Sequence, residues 1–425
     1  MSEKADLIVC HAAQLVTVSG NSEAPKRGRE MSEIGVIPDG AVAAMDGRIV
    51  AVGTTKEVFG QVELVEDGVL VDASGKVVLP GLVDPHTHLV FAGSRQNEFV
   101  LKLRGKGYLE ILAAGGGILS TVKATRQASR EDLVAVGKKY LREMLEQGTT
   151  TAEVKSGYGL TTEDEIKMLE AVRQLNGSQP VELVPTFLGA HAVPPEYKGN
   201  TDGYVDLVIG EMLPEVARRG LAEFCDVFCE EGVFSIEQSR KVLLAAKEEG
   251  LKLKIHADEI VSLGGAELAV EVGATSADHL MAVSERGIEM LAESETVAVL
   301  LPATTFCLME DRYAPARRMI EAGVAVALAS DFNPGSSPVN SLQIVMGLAC
   351  RQLKMSPEEV IAAVTINAAH AIGRGDRVGS LEVGKQADMV IFDAPDYQYL
   401  MYRFGTNLVD KVIKRGKVVV GGDTQ

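Results

Sequence analysis

The alternation of apolar and polar positions changes character twice along the chain. Up to about residue 79, short apolar runs alternate with turns, and Asp46-Gly47 between the runs 40–45 and 48–53 predicts a β-hairpin. From about residue 80, apolar runs alternate with stretches of helical periodicity, and beyond residue 371 short apolar runs return. The pattern predicts β structure at both ends of the chain and an α/β region between them.

The middle region contains eight apolar runs that we interpret as strands, with helical periodicity between them. Strands that alternate with helices predict a parallel sheet, and eight of them predict an α/β fold of the (β/α)8 TIM-type barrel class. The predicted strands are residues 77–83, 149–154, 181–187, 225–229, 251–256, 275–279, 297–301 and 324–329. The predicted helices are residues 131–147, 163–175, 207–219, 236–249, 263–272, 284–292, 314–322, 337–353 and 357–371.

Chemically reactive side chains gather at the ends of the predicted strands. His86 and His88 are spaced i and i+2, so on a strand both imidazoles face the same side and can address one metal ion. Five of the seven histidines lie at or just past a strand end, and Asp331 ends the eighth strand. The C-terminal strand ends are where barrel enzymes carry their chemistry, so the pattern predicts a metal centre. The five histidines are His86, His88, His191, His256 and His279.

Acidic residues near these histidines suggest supporting roles. Asp84 lies on the same side of the first strand as the histidines, where it could orient a ligand. Glu259, three residues after His256, could reach a water molecule at the metal or a substrate N–H. For Asp258 we prefer a helix N-terminus, where carboxylates are favoured, and for His11 a surface or packing position.

The regions combine into a simple domain plan. Residues 1–79 and 371–425 would form the two parts of one small β-sandwich domain, and residues 80–370 would form the metal-dependent (β/α)8 barrel. Imidazole and carboxylate ligands suit zinc, iron, manganese or nickel. A bound metal of this kind lowers the pKa of water toward neutrality, which is the chemistry of a hydrolase.

Composition and charge exclude some partners. The formal net charge of -17 argues against nucleic acid and against an anionic membrane surface, but a local cationic residue could still bind a small anionic substrate. Five scattered cysteines suit the reduced thiols of a cytoplasmic protein. The polar start and the lack of an apolar run of about 18 residues lead us to expect neither a secretory leader nor a spanning helix.

Several motifs resemble the amidohydrolase superfamily and, within it, the imidazolonepropionase family of histidine degradation. The superfamily likeness lies in Pro80-Gly81 and Asp84 through His88, with His256, His279 and Asp331 downstream, and in the return strand at residues 379–388. The narrower likeness covers nearly the whole chain. Its motifs are residues 84–95, 114–121, 155–160, 256–259, 276–279 and 330–336.

The resemblance implies hydrolysis of the cyclic amide C–N bond of 4-imidazolone-5-propanoate to N-formimidoyl-L-glutamate, with one zinc or iron ion per subunit of a homodimer. It implies that the metal ligands are His86, His88, His256 and Asp331. The implied substrate contacts are Arg95, Tyr158, His191, Glu259, Asn333, Gly335 and Ser336, and at position 336 threonine would be the commoner residue. The candidate catalytic residues are Glu259, His279, Asp331 and His191.

The residue chemistry fits this reading without deciding every role. Arg95 offers a planar fork suited to the propionate of such a substrate. The fourth strand, 225–229, has no lysine to bridge a second metal, so we expect one ion. Either Glu259 or Asp331 would act as general base, and either His191 or His279 would donate a hydrogen bond to the developing oxyanion.

Two other functions remain open at this stage. A deaminase of a heterocyclic base could use the same fold and similar ligands, but a neutral base would not need Arg95. A non-catalytic relative that has lost its ligands is the third reading, and here all four candidate ligands and the candidate base are present.

Overall fold

The computed structural model describes residues 3–105 and 116–421. Of the motif at 114–121, Ala114 and Gly115 lie outside the described residues, as do the ends of the predicted small domain at 1–2 and 422–425. None of the helices in the described ranges combines the length and the apolar character that crossing a bilayer requires.

Within the described residues, the strands form two eight-stranded sheets. One sheet contains β6 to β13 in chain order with every pairing parallel, and the other combines strands from both ends of the chain. The strands are β1 (Glu3–Val16), β2 (Val36–Met45), β3 (Arg48–Thr54), β4 (Val62–Asp72), β5 (Val77–Pro80), β6 (Leu82–Asp84), β7 (Thr149–Lys155), β8 (Glu182–Ala190), β9 (Phe224–Cys229), β10 (Lys252–Ala257), β11 (Ser276–His279), β12 (Val297–Leu300), β13 (Val326–Leu328), β14 (Met389–Phe392), β15 (Val409–Lys414) and β16 (Lys417–Val420).

The parallel sheet is the predicted (β/α)8 barrel. Its first and last strands approach each other just past their C-terminal ends, where the His88 amide donates to the Phe332 carbonyl at 2.9 Å and the Asp331 amide to the His86 carbonyl at 3.1 Å. Strands β7, β12 and β13 are buried at every position, as expected for a parallel sheet covered on both faces. The predicted fold class is confirmed, and the barrel closes through the same residues that carry the candidate ligands.

The predicted first barrel strand, residues 77–83, was wrong as a single element. Val77–Pro80 belongs to the terminal sheet, where it pairs with β14 and β1, and the barrel strand is Leu82–Asp84. The chain crosses between the sheets at Gly81, where a Cβ would overlap the side chain of Thr150. A continuous apolar run cannot reveal such a crossing, because both sheets bury it equally well.

The terminal sheet is built around the long strand β1. This strand pairs antiparallel with β2 and parallel with β4 and β5, and β14 and β15 continue the sheet beyond β5. Asp46 and Gly47 form the predicted hairpin turn with φ of 50° and 76°. His11 lies at an irregularity of β1 with φ 57°, and its half-exposed imidazole contacts Asp39 at 3.0 Å. The division into domains at residues 79 and 371 stays a prediction.

The helices around the barrel follow most of the predicted periodicities, but the predicted helix at residues 357–371 was wrong as a single element, because the structure divides it into Pro357–Ala363 and Ile366–Ala371. The clearest departure is at residues 207–219. There the structure has Thr201–Leu207, a π-helical segment Val208–Met212 and Leu213–Arg219 in succession. Ser129 caps the helix Arg130–Glu146, accepting a hydrogen bond from the Asp132 amide. The other helices are Thr55–Gln61, Gln96–Leu103, Ile118–Gln127, Arg130–Glu146, Thr162–Asn176, Ile236–Glu248, Gly265–Val272, Glu285–Ala292, Pro302–Leu308, Ala316–Ala322, Leu342–Gln352, Pro357–Ala363, Ile366–Ala371 and Tyr397–Tyr402.

An ionic cluster joins the N-terminal end of the barrel to the C-terminal segment. Glu182, the first residue of β8, lies 3.2 Å from Arg374 Nε, 3.1 Å from Arg415 Nη2 and 3.8 Å from Lys414 Nζ. Lys414 also lies 2.7 Å from Asp388. In barrels of this kind, residues at the N-terminal end of the strands serve stability, and the chemistry lies at the C-terminal end.

Candidate metal centre and active site

The predicted metal ligands meet at the C-terminal end of the barrel. The Nε2 atoms of His86 and His88 lie 3.3 Å apart, and Asp331 Oδ1 lies 3.5 Å from each of them. The ring centre of His86 lies 4.6 Å from that of His256 and 5.4 Å from that of His279. The donor atoms form two groups that share His86, one with His88 and Asp331 and the other with His256 and His279.

The polar atoms of this cluster fit a bound cation. Within the described residues, the buried Nε2 of His256 and both ring nitrogens of His279 have no hydrogen-bond partner. Buried polar atoms without partners are costly unless an ion or a water molecule satisfies them. The cluster brings several imidazoles and one carboxylate together, and this donor chemistry supports a divalent metal.

Burial keeps three of the imidazoles in the neutral form that binds metals, whereas at His256 burial is outweighed by the charge of Asp226, which raises the pKa of that ring. Burial lowers the pKa of His86, His88 and His279 well below the ordinary value, so these rings are neutral. Burial also raises the pKa of Asp331 to about 6. The Thr304 hydroxyl donates to Asp331 Oδ2 at 2.7 Å, which leaves Oδ1 facing His86 and His88.

Two buried carboxylates orient the imidazoles of His86 and His256 by contacting their Nδ1 atoms. Asp278 Oδ2 lies 2.6 Å from His86 Nδ1, and Asp226 Oδ2 lies 3.0 Å from His256 Nδ1. Each Nδ1 therefore donates its hydrogen to a carboxylate, and each Nε2 presents a lone pair to the centre. The expectation that Asp84 orients a histidine imidazole was wrong, because its Oδ1 instead accepts from the Ser330 amide at 3.1 Å.

The chain takes unusual backbone conformations where it enters the site. Asp258, His279 and Asp331 have φ of 48°, 80° and 53°, in the left-handed region that side chains rarely adopt. Each follows or ends a barrel strand, where a regular continuation would carry its neighbours past the centre. Strain of this kind is typical of functional sites, which the surrounding structure must hold in place.

Glu259 lies beside the ligand cluster as predicted from its position after β10. Its Oε1 is 3.7 Å from His279 Nδ1, and burial together with the nearby charge of Asp331 raises the pKa of Glu259 to about 8. The neighbouring Asp258 accepts hydrogen bonds from the amides of residues 263–266, at the start of helix Gly265–Val272. This agrees with the interpretation of Asp258 as a helix-capping residue.

Tyr158 and His191 form a wall next to the ligands. The His191 ring stacks on His88 with centres 5.0 Å apart, and the Tyr158 ring centre lies 5.9 Å from that of His88. His191 Nδ1 lies 2.9 Å from the Gly157 carbonyl oxygen, which can only accept, so Nδ1 is the donor. Burial lowers the pKa of His191 to about 3, so the ring is neutral and Nε2 is an acceptor.

A single buried carboxylate holds the loop that carries Tyr158. Glu165 accepts hydrogen bonds from the amides of Gly157, Gly159 and Leu160 at 2.9, 2.8 and 2.8 Å. Glu165 was not singled out from the sequence, although an acidic residue in the first turn of a predicted helix is an ordinary signal. Its three contacts depend on the loop folding back over the helix, which spacing alone does not show.

Arg95 lies at the same mouth and is fixed by a neighbour. Its Nε and Nη2 contact Glu98 Oε2 at 2.9 and 2.8 Å, and Glu98 also accepts from the Gly117 amide at 2.9 Å. Both Asp331 and Arg95 act on the pKa of Tyr158, which burial raises. The role of Glu98 was not predicted from the sequence, although its i, i+3 spacing from Arg95 was a signal for such a contact.

The loop at residues 333–336 packs against Arg95. A Cβ on Gly335 would overlap the Arg95 guanidinium, so the guanidinium would have to shift if a larger residue stood there. Asn333 accepts from the amides of Gly335 and Ser336, both at 2.8 Å, and donates to the Asp331 carbonyl at 2.7 Å. These bonds give Asn333 a role in shaping the loop, and direct substrate contact by Asn333 stays a prediction.

Comparison with curated proteins finds close relatives over the full length. A model of the amidohydrolase family matches residues 77–419. A protein of Alkaliphilus oremlandii (strain OhILAs) is 56% identical over 415 residues, 98% of this chain and 98% of the relative. A protein of Fusobacterium nucleatum subsp. nucleatum is 55% identical over 417 residues, 98% of this chain and 99% of the relative. Both relatives are named imidazolonepropionase.

Solved structures share the fold at low sequence identity. An adenosine deaminase from Xanthomonas campestris with bound zinc has a TM-score of 0.72 and 21% identity, covering 98% of this chain and 93% of that one. An E. coli guanine deaminase has a TM-score of 0.72 and 17% identity, covering 97% of this chain and 98% of that one. At these identities the likeness shows the architecture alone.

Proposed function

The chain belongs to the amidohydrolase family and, within it, to the imidazolonepropionases, and from that membership we propose its reaction and site residues. The reaction is hydrolysis of the cyclic amide C–N bond of 4-imidazolone-5-propanoate to N-formimidoyl-L-glutamate. The observation that carries this assignment beyond the fold is Arg95, held by Glu98 at the mouth that contains the ligand cluster. The substrate has a propionate that needs a counter-charge, whereas a neutral heterocyclic base does not.

His86, His88, His256 and Asp331 are the residues we assign to hold the metal, with zinc or iron as the ion. Their support is the close grouping of donor atoms of His86 with His88 and Asp331, the second group in which His86 meets His256, and the unpartnered Nε2 of His256 among the described residues. A bound divalent metal supplies Lewis acidity, which lowers the pKa of water and polarises an amide carbonyl. The rest of the chemistry falls to the side chains around it.

Glu259 is the group we assign as general base. Its Oε1 lies 3.7 Å from His279 Nδ1, beside the ligand cluster, where a carboxylate can accept a proton and return it to the leaving nitrogen. Asp331 is the weaker candidate because Thr304 already donates to its Oδ2 and its Oδ1 faces two histidines. Proton transfer by Glu259 would contribute roughly a hundredfold or more to turnover.

His279 and His191 take different roles in this proposal. Both ring nitrogens of His279 lack partners within the described part of the chain, so its imidazole is available to donate to the developing oxyanion. His191 uses its N–H on the Gly157 carbonyl, so its Nε2 can only accept. We therefore assign His191 to accept a hydrogen bond from a ring N–H of the substrate.

The decisive experiment follows the ultraviolet absorbance of freshly prepared imidazolone propionate in the presence of metal-loaded protein. The proposal predicts decay of the substrate and formation of N-formimidoyl-glutamate, and no deamination of neutral purines or pyrimidines. Deamination of a neutral base without action on imidazolone propionate would overturn it. Glu259→Gln should retain stoichiometric metal and lose at least about a hundredfold in kcat. Near-normal turnover would remove Glu259 from this role.

The ion, the assembly and the compartment are part of the same proposal. Elemental analysis of the purified protein should find one zinc or iron per chain, and Asp331→Ala should lower that content. A homodimer and a cytoplasmic location remain proposals, the second supported by five free cysteines. Light scattering at several concentrations tests the dimer.

A further inference from the structure

Lys155 ends strand β7 with its side chain fully buried inside the barrel. Its Nζ lies 2.7 Å from Asp226 Oδ2, 2.8 Å from Glu153 Oε1 and 3.8 Å from Asp278 Oδ2. Glu153 and Lys155 are two residues apart on one strand, so both side chains face the barrel interior. One ammonium group thus lies among three carboxylates from three different strands.

Two of these carboxylates also contact proposed metal ligands. Asp226 contacts His256 Nδ1 at 3.0 Å, and Asp278 contacts His86 Nδ1 at 2.6 Å. Lys155 is therefore separated from each of two ligand imidazoles by one carboxylate, Asp226 in the case of His256 and Asp278 in the case of His86. A carboxylate that contacts both an ammonium and an imidazole has its orientation fixed from both sides.

The third carboxylate, that of Glu153, contacts the backbone of Thr87, the residue between His86 and His88. Glu153 Oε2 accepts from the Thr87 amide at 3.2 Å, and the Thr87 hydroxyl donates to the Glu153 carbonyl at 2.6 Å. The Lys155 amide also donates to the Thr87 carbonyl at 3.0 Å. The segment that carries both histidines is thus anchored on Glu153 and Lys155 of β7.

We propose that Lys155 is a positioning residue of the metal centre, which fixes the His256 imidazole through Asp226 and, together with Lys254, holds the Asp278 carboxylate that contacts His86. Without the ammonium, three buried carboxylates would face each other with less counter-charge and would turn away from their present partners. The imidazoles of His86 and His256 would then lose the groups that set their ring orientation. Loss of such outer contacts typically weakens metal binding by about 10- to 100-fold.

Lys254 provides a matched control in the same barrel. It is also fully buried, and its Nζ lies 3.7 Å from Asp278 Oδ2. Its hydrogen bonds, however, go to the Ser276 hydroxyl at 2.7 Å and the Ala371 carbonyl at 3.2 Å. Lys254 thus lies as close to Asp278 as Lys155 does, and the two lysines differ in the contact with Asp226, which among the described residues Lys155 makes and Lys254 does not.

The test compares Lys155→Met with Lys254→Met and wild type by metal affinity, measured by chelator competition with Zn²⁺ and Co²⁺. We expect Lys155→Met to bind about 10- to 100-fold more weakly and to change the visible spectrum of the Co²⁺ protein, because the ligand geometry changes. Lys254→Met should weaken binding less than Lys155→Met does, because the contact of Lys155 with Asp226 remains in place. Unchanged affinity and spectrum in Lys155→Met, or an equal loss in both variants, would overturn the proposal.

A charge-balanced pair keeps the test valid if Lys155→Met does not fold. The double variant Lys155→Met/Glu153→Gln removes one cation and one anion, so the interior charge stays as in wild type. We expect it to bind metal at least about tenfold more weakly than Glu153→Gln alone, and equal affinity would contradict the role of Lys155. The inference rests on the proposed metal ligands, but metal affinity is measured without substrate. A wrong substrate assignment would therefore leave this result intact and show only in the absorbance assay.

Discussion

At the scale of single residues, a substitution at Gly335 tests the role of Arg95 without removing the charge of the Arg95 side chain. Gly335→Ala places a methyl group against a guanidinium that Glu98 holds from the other side, so Arg95 must move. Loss of a charged contact to the substrate carboxylate costs about 1.5–3 kcal/mol. We expect KM for imidazolone propionate to rise about tenfold or more while metal content stays unchanged.

The matched control is Gly405→Ala, because a Cβ there meets nothing within 4 Å among the described residues. Steady-state kinetics of both variants, with metal analysis of each preparation, separate a local effect from a general loss of folded protein. A Gly335→Ala enzyme with wild-type KM would mean that Arg95 does not bind the propionate.

The candidate ligands could be predicted because strand ends and histidine spacing are both visible in a sequence. Asp226, Asp278 and Lys155 were not recognised, although each lies on a predicted strand or directly after one. Their roles depend on distances between strands that are far apart in sequence. The same limit explains why Asp84 was assigned to a histidine that Asp278 contacts instead.

At the scale of elements, the loop at residues 156–160 depends on Glu165. Glu165→Gln replaces one carboxylate oxygen by an NH2 group, which cannot accept from the backbone amides that Glu165 now serves. We expect the loop with Tyr158 to loosen, KM to rise about tenfold, equivalent to about 1.4 kcal/mol, and metal content to remain at wild-type level.

Glu163→Gln is the control for this element, since Glu163 lies exposed in the same first helical turn. Kinetics and metal analysis of both variants provide the measurement. Loss of metal from Glu165→Gln with KM unchanged would show that the loop supports the metal centre and not the substrate wall.

Most elements were predictable because periodicity and end signals are local. The split of residues 77–83 at Gly81 was not, because the neighbours on both sides of the crossing are supplied by distant parts of the chain. The π-helical segment Val208–Met212 was also not visible, since its apolar positions still read as helix.

At the scale of the whole molecule, the Glu182 cluster makes stability depend on pH. Burial opposes ionisation of Glu182, but Lys414 and its other partners outweigh it and lower the pKa of Glu182 to about 2. A carboxylate with a depressed pKa stabilises the fold above its unfolded pKa of about 4.3, and this contribution is lost as pH falls toward 2. A shift of this size corresponds to about 3 kcal/mol.

Glu182→Gln should therefore lower Tm at pH 7, and its difference from wild type should shrink as pH falls from about 5 toward 3. Glu215→Gln is the control, because Arg218 and Arg219 also lower the pKa of Glu215 to about 2, but at the surface. Surface pairs contribute little. Thermal unfolding of both variants across this pH range is the measurement, and equal effects would argue against the cluster as a tie between barrel and terminal sheet.

The pairing of β5 with β14 has a consequence for biosynthesis. Val78 is hydrogen-bonded beside Ile391, so the ribosome makes the first of these strands roughly 300 residues before its neighbour. At about 5–20 residues per second, that interval lasts about 15 to 60 s. Throughout it, β5 presents an open strand edge of the kind that recruits other chains. The yield of native enzyme in a cell therefore depends on how well the edge of β5 is protected from other chains until β14 has been synthesised.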